Sequence, residues 1–256
     1  MARVSIEKYK EYTLAKILNR NISAPTQQSE VAGHPHFGAA KYNLSEKASR
    51  LSATVLSVQN SHRYGELYVD LLKARKKTFI DLKGWTLPNV DGMEFDQYDT
   101  PQSRSIVVHE FGEVLGGVRL LPTTARCGCY SYMLRDAQLG LLKDIPEHIL
   151  YEQAPVTEHI WEATRLFVTQ DASATRRIAI QTKLMTEMAR AARMEGATHV
   201  IGIVPAVFQR WLGRLGIGAL PLGPKLDIGG DMTQAAVMHV ATETNTSQNL
   251  HHRTMN

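Results

Sequence analysis

Two charged residues interrupt an apolar segment, and they are the strongest candidates for chemistry in the sequence. Glu162 and Arg165 lie within residues 160–168, whose alternating apolar side chains predict a β-strand. A buried carboxylate can act as a general base, and a guanidinium can hold an anion or another carboxylate. A regular strand places residues three apart on opposite faces. If both serve one site, a β-bulge must shift the register between them and could turn backbone N–H groups toward a substrate carbonyl. Otherwise they form exposed ion pairs with other strands.

A third charged residue lies on the apolar face of a predicted helix over residues 63–80. Spacings of three and four place Arg75 on the same side as Leu71 and Phe79. A guanidinium in that position must be paired or must contact a ligand anion, unless it lies at the edge of the face and reaches solvent.

A turn-rich, acidic segment follows at residues 87–102. Its carboxylates alternate with Phe95 and Tyr98, which indicates that the segment packs down instead of remaining in solvent. A packed carboxylate needs a cation nearby. Arg119, inside the apolar run 114–121, is the candidate partner unless it faces solvent. The acidic residues of the segment are Asp91, Glu94, Asp96 and Asp99.

The elements that must position these residues alternate between strands and helices. The pattern predicts a mixed sheet with helices on its faces. We divide the chain into an N-terminal extension of uncertain order at 1–60, a domain at 61–241 and a polar tail at 242–256. The predicted strands are 104–110, 113–121, 160–168, 199–204 and 235–241, with a hairpin at Phe111-Gly112. The further predicted helices are a long one capped by Asp171 or Ser173 and ending near Glu195, and a short one at 206–214.

Composition bounds the remaining possibilities. The chain has 256 residues, of which 43% are hydrophobic and 21% charged, enough for a well-buried core. It has no apolar run long enough for a transmembrane helix and no apolar region of a signal peptide, so we expect a cytoplasmic protein that binds no membrane. Cys127 and Cys129 make no disulfide framework. A net charge of +4 permits an acidic partner without identifying it.

Several kinds of site are not expected from the sequence. It contains no P-loop, no G-x-G-x-x-G, no H-E-x-x-H and no G-x-S-x-G motif. Its ten histidines show no convincing ligand spacing, so no metal site is predicted. No basic stretch is interleaved with aromatic residues, so no nucleic-acid partner is predicted.

The charged and aromatic residues together resemble the LuxI-type acyl-homoserine-lactone synthases, which make bacterial quorum-sensing signals. The resemblance covers residues 70–168 and continues more weakly to about residue 240, whereas residues 1–60 lie outside it. It depends on the order and intervals of four strings. These strings are Arg75-x3-Phe79-x5-Trp85, Asp96-Gln97-Tyr98-Asp99, Arg119-Leu120-Leu121-Pro122 and Trp161-Glu162-x2-Arg165.

The resemblance implies an acetyltransferase-like (GNAT-type) α/β fold with a mixed central sheet flanked by helices. It also implies two substrates, S-adenosylmethionine and an acyl group carried on acyl carrier protein or, in some members, on coenzyme A. The amine of S-adenosylmethionine attacks the acyl thioester, and the methionine carboxylate then displaces methylthioadenosine and closes the lactone. S-adenosylmethionine is consumed as a substrate, so no cofactor is expected.

The resemblance assigns roles to matching positions. Glu162 is the candidate base that takes the proton of the attacking amine, directly or through a water. A pocket for S-adenosylmethionine is implied for Arg75, Phe79 and Trp85. A charged cluster is implied for Asp96, Asp99, Arg119, Glu162 and Arg165. Three carboxylates against two guanidiniums would leave that cluster anionic and suited to a cationic substrate.

Basic residues later in the chain suggest where the acyl donor binds. Arg176 and Arg177 begin the long helix, where cations oppose the helix dipole. They either extend into solvent or meet an anion, and the phosphate of phosphopantetheine is the candidate. The basic residues that could meet an acidic carrier protein are Arg210, Arg214 and Lys225.

Two other interpretations remain open. An ordinary GNAT-type acetyltransferase using acetyl-CoA would carry a glycine-rich pyrophosphate loop, which residues 171–177 lack. A non-catalytic regulatory homologue would have lost a residue of the cluster, and none is lost. Pro205 occupies the position where family members that use 3-oxoacyl chains commonly carry threonine. We therefore expect an unsubstituted, branched, aryl or 3-hydroxy acyl group instead of a 3-oxo group.

Overall fold

The structure is a computed structural model that describes residues 51–170, 173–205, 212 and 218–240. The first fifty residues of the predicted extension, most of the predicted helix at 206–214 and the predicted tail at 242–256 lie outside the described residues. The described part contains nine strands and three α-helices. No helix in this part of the chain is long and apolar enough to cross a membrane.

Seven strands form the central sheet, in the order β1-β4-β5-β6-β7-β9-β8. The pair β6 and β7 is parallel, and the other neighbours are antiparallel. The predicted mixed sheet flanked by helices is therefore confirmed. The strands of this sheet are β1 (Ser52–Leu56), β4 (Arg104–Glu110), β5 (Glu113–Pro122), β6 (Ile160–Val168), β7 (His199–Pro205), β8 (Ala219–Ile228) and β9 (Asp231–His239), and a separate small hairpin is made by β2 (Asn89–Val90) and β3 (Met93–Glu94).

Two of the helices cover opposite faces of the sheet. Alternate strand residues point to opposite sides, so neighbouring residues of β4 pack against different helices. Helix α1 (Leu67–Lys76), extended by a π-helical turn at Lys77–Leu82, packs against a cluster that includes Val107. Helix α3 (Ala174–Met194) packs against a cluster that includes Ile106. A short third helix, α2 (Met133–Gln138), follows β5. Each face of the sheet thus has its own apolar core.

The structure differs from the predicted boundaries at both edges of the sheet. Residues 52–56 form β1, so this part of the predicted extension belongs to the sheet. Strand β8 was not predicted, because its two prolines and central glycine are typical of a turn. Within the described residues β8 is an edge strand, and a strand with no neighbour on one side can contain proline. The last strand, β9, begins before the predicted 235 and ends at His239.

Strands β6 and β7 separate soon after their pairing begins. The pairing runs from Ile160 with His199 to Glu162 with Ile201, although both strands continue beyond these residues. Gly202 lies where they part, and a Cβ atom there would be 2.6 Å from the carbonyl oxygen of Ala163. Beyond Glu162, β6 has no strand partner on this side within the described chain. Its backbone N–H and C=O groups therefore line a cleft between the two strands.

Gly223, on β8, has no room for a side chain. A Cβ atom at this position would be 1.8 Å from the carbonyl oxygen of Ile149 and 2.8 Å from its carbon, both of them backbone atoms. Gly223→Ala should therefore lower the free energy of unfolding by about 3 kcal/mol. Urea unfolding at neutral pH measures this loss. Gly218→Ala is the matched control, because no atom of the described residues lies within 4 Å of its Cβ position. Equal stability of the two variants would contradict the expectation.

Candidate active site

A β-bulge in β6 brings Glu162 and Arg165 to the same face of the sheet. On β5, Arg119 pairs with Thr164 and Gly117 pairs with Phe167, so β6 has one more residue than β5 in this stretch. Arg165 adopts a left-handed backbone with φ 54°. The extra residue reverses the alternation, and Arg165 joins Glu162 on the face that α1 covers. The bulge predicted from the spacing of these two residues is confirmed.

Three arginines, of which Arg75 and Arg119 are buried and Arg165 is partly buried, form an ion network with three carboxylates on this face. Arg75, from α1, donates from Nε to Glu94 at 2.6 Å and from Nη1 and Nη2 to the two oxygens of Asp99 at 2.7 and 2.9 Å. The helix therefore contributes a paired guanidinium, as its apolar surroundings predicted. Two carboxylate groups thus fix the acidic segment against α1.

The other two arginines come from adjacent strands. Arg119, on β5, contacts Asp96 at 2.6 Å, Asp99 at 2.9 Å and the hydroxyl of Thr164 at 3.0 Å. Arg165, on the bulge, contacts Asp96 at 2.8 Å and Glu94 at 3.0 Å. Each carboxylate of the network therefore lies between two guanidiniums. The network of six residues is closed and balanced in charge.

The pKa values of three network members, Asp96, Asp99 and Arg119, favour their charged forms. Burial acts to raise the pKa of Asp96 and of Asp99, but the neighbouring guanidiniums hold both pKa values below the usual range. For Arg119, burial acts to lower the pKa, and the two aspartates raise it above its usual value. All of these side chains stay ionised near neutral pH.

Glu162 lies apart from the network and is held by backbone amides. Its Oε2 accepts a hydrogen bond from Met133 N–H at 2.8 Å, and its Oε1 accepts one from Leu134 N–H at 2.7 Å. These amides belong to the first turn of α2. The side chain is only 1% exposed. Burial raises the pKa of Glu162 to about 7, against the lowering effect of the two amides and of Arg119. Such a carboxylate can exchange a proton at neutral pH.

The composition of the predicted cluster therefore needs correction. Glu162 is not a member of the ion network, whereas Arg75, which was placed only in a substrate pocket, is one. Glu94 was noted among the acidic residues but not chosen as a site residue, although it is fully buried between Arg75 and Arg165. The network has three carboxylates and three guanidiniums, so the predicted excess of carboxylates is not present in it. When Glu162 is ionised, the network and Glu162 together carry one negative charge.

The aromatic residues lie beside the network. Phe79 stacks on Trp85 with ring centroids 5.1 Å apart, and Phe167 contacts Phe79 edge-on at 5.9 Å. The guanidinium of Arg165 lies over the Phe79 ring at 5.7 Å. Phe79 and Trp85 thus form the aromatic wall of the site. Phe167, the third aromatic residue, was not predicted as a site residue, although it is two residues from Arg165 on the same strand.

The predicted basic residues lie at other places. At the start of α3, Arg176 forms an ion pair with Glu110, and Arg177 donates to the carbonyl of Gln170 at 3.1 Å. The helix is capped by Ser173, one of the two predicted caps, whose hydroxyl accepts from the Arg176 N–H. Lys225 is exposed on β8. Arg210 and Arg214 lie outside the described residues. No group of three or more possible metal ligands occurs in the described part.

The sequence of this chain is similar to those of known proteins. The sequence model of the autoinducer synthase family matches residues 59–248. An acyl-homoserine-lactone synthase of Vibrio anguillarum is 30% identical over 178 residues, which cover 68% of this chain and 85% of the relative.

Solved structures show the same likeness. The crystal structure of TofI in a ternary complex with an inhibitor and MTA has 26% identity and a TM-score of 0.59, over 75% of this chain and 94% of that chain. The structure of BjaI, a CoA-dependent acyl-homoserine lactone synthase, has 23% identity and a TM-score of 0.62, over 75% and 84%. The second likeness concerns the fold alone.

Proposed function

The chain belongs to the autoinducer synthase family, and we propose that it makes an N-acyl-L-homoserine lactone from S-adenosyl-L-methionine and an acyl thioester. It is an acyltransferase. The observation that carries the proposal is Glu162, a buried carboxylate with a pKa of about 7, on the same face as the ion network and the aromatic wall. The site thus offers a proton acceptor beside surfaces for a cationic substrate.

In the first step the amine of S-adenosylmethionine loses a proton to Glu162, directly or through a water. A carboxylate has about four lone pairs, so Glu162 can accept this proton while it keeps its hydrogen bonds from the two backbone amides. The nitrogen then attacks the acyl carbonyl, the C–N bond forms and the C–S bond of the thioester breaks. The nitrogen gives up a second proton as the amide forms. The leaving thiolate takes up that proton and departs as the free thiol, and Glu162 later returns its own proton to solvent.

In the second step the methionine carboxylate attacks its own γ-carbon. A C–O bond forms, the C–S bond to the sulfonium breaks, and the electron pair of that bond leaves with methylthioadenosine. The step needs no further acid or base, since a neutral thioether is a good leaving group. The chain contributes orientation here, because a bound conformer with the two atoms in contact has already lost the entropy of reaching that geometry.

Two surfaces of the site fit the two substrates. Phe79 and Trp85 are the aromatic residues that we propose for the sulfonium or the adenine, since aromatic rings attract cations. Trp85 is the more exposed of the two, and the buried Phe79 stacks against it. The cleft between β6 and β7 offers unpaired backbone groups to an extended acyl thioester. Its N–H groups can stabilise the negative charge that develops on the carbonyl oxygen. Glu162 lies where the cleft begins.

We propose that the acyl donor is bound by basic residues other than those of the ion network. Arg176 and Arg177, at the start of α3, are candidates for the phosphate of phosphopantetheine, which both acyl carrier protein and coenzyme A contain. Arg176, the more exposed member of its ion pair with Glu110, would exchange that partner for the phosphate. The candidates for an acidic carrier protein are Arg210, Arg214 and Lys225.

Product analysis tests the proposed function. The purified full-length chain is mixed with S-adenosylmethionine and a panel of acyl thioesters on carrier protein and on coenzyme A, and products are identified by mass spectrometry. We expect an acyl-homoserine lactone and methylthioadenosine in equal amounts. Because Pro205 offers no hydroxyl, a donor with an unsubstituted, branched, aryl or 3-hydroxy chain should react faster than its 3-oxo counterpart.

The panel also contains the outcomes that would contradict these expectations. Transfer of acetyl from acetyl-CoA to an amine, without methylthioadenosine, would favour an ordinary acetyltransferase. A complete lack of lactone with every donor would count against the synthase. A dominant 3-oxo product would refute only the expectation based on Pro205.

A further inference from the structure

Asp136 is a fully buried carboxylate that the reaction described above does not use. It lies on α2, and its hydrogen-bond partners in the described chain are neutral groups. A buried carboxylate without a cation is costly unless hydrogen bonds satisfy it. The chain nevertheless keeps this one beside Glu162, a second carboxylate. That arrangement calls for a role.

Asp136 accepts hydrogen bonds from Ser131, and the short segment between these two residues contains the backbone amides that bind Glu162. The N–H of Ser131 donates to Oδ1 at 3.1 Å and to Oδ2 at 2.9 Å, and its hydroxyl donates to Oδ1 at 2.6 Å. The loop from Ser131 to Asp136 contains Met133 and Leu134, whose amides bind Glu162. Asp136 therefore fixes the direction in which those two amides point.

A further contact joins this loop to the ion network. The hydroxyl of Tyr98 donates to Oδ2 of Asp136 at 3.0 Å. The N–H of Tyr98 donates to Asp96 at 2.9 Å, and the guanidinium of Arg119 lies over the Tyr98 ring at 5.5 Å. The two parts of the site, the network and the amide-bound Glu162, are thus connected through Asp136.

We propose that Asp136 is a positioning residue for Glu162, which orients the α2 amides toward the proposed base and places a like charge beside it. This inference rests on the proposed function, since it assigns how the base of that reaction is held. Asp136 is fully buried, so it would act on the reaction through Glu162.

The charged and titratable groups that face Glu162 come from three elements. Arg119 on β5 lowers the pKa of Glu162, and Asp136 on α2 raises it, after the larger effects of burial and the amides. Tyr132 and Tyr98 also face it, and burial raises the pKa of both phenols, so they stay neutral. Removing the charge of Asp136 leaves Arg119 unopposed. The pKa of Glu162 must then fall.

The test is the pH dependence of methylthioadenosine release with a reactive donor. For the wild type, kcat/KM should rise with pH through about 7, as Glu162 loses its proton. In Asp136→Asn, the midpoint should move about 0.5 to 1 pH unit lower. Because the amides are less well fixed, kcat should also fall about tenfold. Ser131→Ala removes one tether but keeps the charge, so it should lower kcat without moving the midpoint.

Two controls separate the inference from its alternatives. Asp144→Asn removes the same charge from an exposed loop and should leave both quantities unchanged. Carbon-13 NMR of labelled glutamate, assigned with Glu162→Gln, measures the pKa of Glu162 without turnover, so the inference is tested even if the proposed function fails.

An unchanged midpoint and kcat in folded Asp136→Asn would overturn the inference. If Asp136→Asn shows no cooperative melting, Ser131→Ala decides: an unchanged kcat overturns the inference, and a reduced kcat with the wild-type midpoint supports it. Failure of the proposed function is distinct, since the wild type would then release no methylthioadenosine with any donor.

Discussion

Glu162→Gln should lower the rate of lactone formation by about 10²- to 10⁴-fold, the usual contribution of a positioned general base. Glutamine cannot take a proton from an amine near neutral pH. Met133 N–H and Leu134 N–H donate to different oxygens of Glu162, and glutamine replaces one of these oxygens by an NH2 donor that cannot accept. Methylthioadenosine release under saturating substrates measures the loss.

The interpretation of this variant depends on two controls. Glu158→Gln makes the same change at an exposed residue before β6 and should keep full activity. Calorimetric binding of S-adenosylmethionine should remain similar in Glu162→Gln, because the aromatic wall and the ion network are untouched. Activity of Glu162→Gln, or of Glu162→Ala, within twofold of the wild type would remove Glu162 from the role of base.

Arg119→Met should cost about 3–5 kcal/mol of the free energy of unfolding at pH 7, since it leaves buried carboxylates without their cation. Arg119 is 1% exposed and contacts both Asp96 and Asp99. The pKa values of these aspartates are lowered in the folded chain. Their stabilisation is therefore present above the unfolded value of 3.8 and is lost as the pH falls below it. The difference between variant and wild type should shrink in acid.

Urea unfolding over a range of pH checks this expectation, with Arg190→Met as the matched control. Arg190 pairs with Glu187 on the exposed side of α3, so its loss should cost about 0–1 kcal/mol. An Arg119→Met protein no less stable than Arg190→Met would show that the network contributes nothing net. A stability difference that stays constant below pH 3.8 would show that Asp96 and Asp99 are not its source.

Much of the site could be predicted because its residues conflict with their surroundings. Arg75 on an apolar helix face requires a counter-charge, and the acidic segment that follows supplies it. Glu162 and Arg165 cannot share a face in a regular strand, so a common site requires the bulge that the structure has. These are local rules of periodicity and charge, which a sequence carries directly.

The parts that could not be predicted depend on distant contacts. Nothing in the acidic segment distinguishes Glu94 from its neighbours, and its burial follows from the convergence of α1 and β6. The separation of Glu162 from the network follows from two amides that lie 28 and 29 residues earlier in the chain. Strand β8 is supported by β9 in spite of its prolines. Tertiary contacts decide all three, and local pattern does not report them.

Engineering this chain for stability meets a limit at Arg165. A left-handed backbone at a residue other than glycine costs about 1–2 kcal/mol, so glycine would suit the conformation of this position better. Glycine would, however, remove the guanidinium that reaches Glu94 and Asp96. The chain retains a conformational penalty in the middle of its central sheet for the sake of a side chain. A more heat-resistant form with intact activity must therefore be sought at other positions.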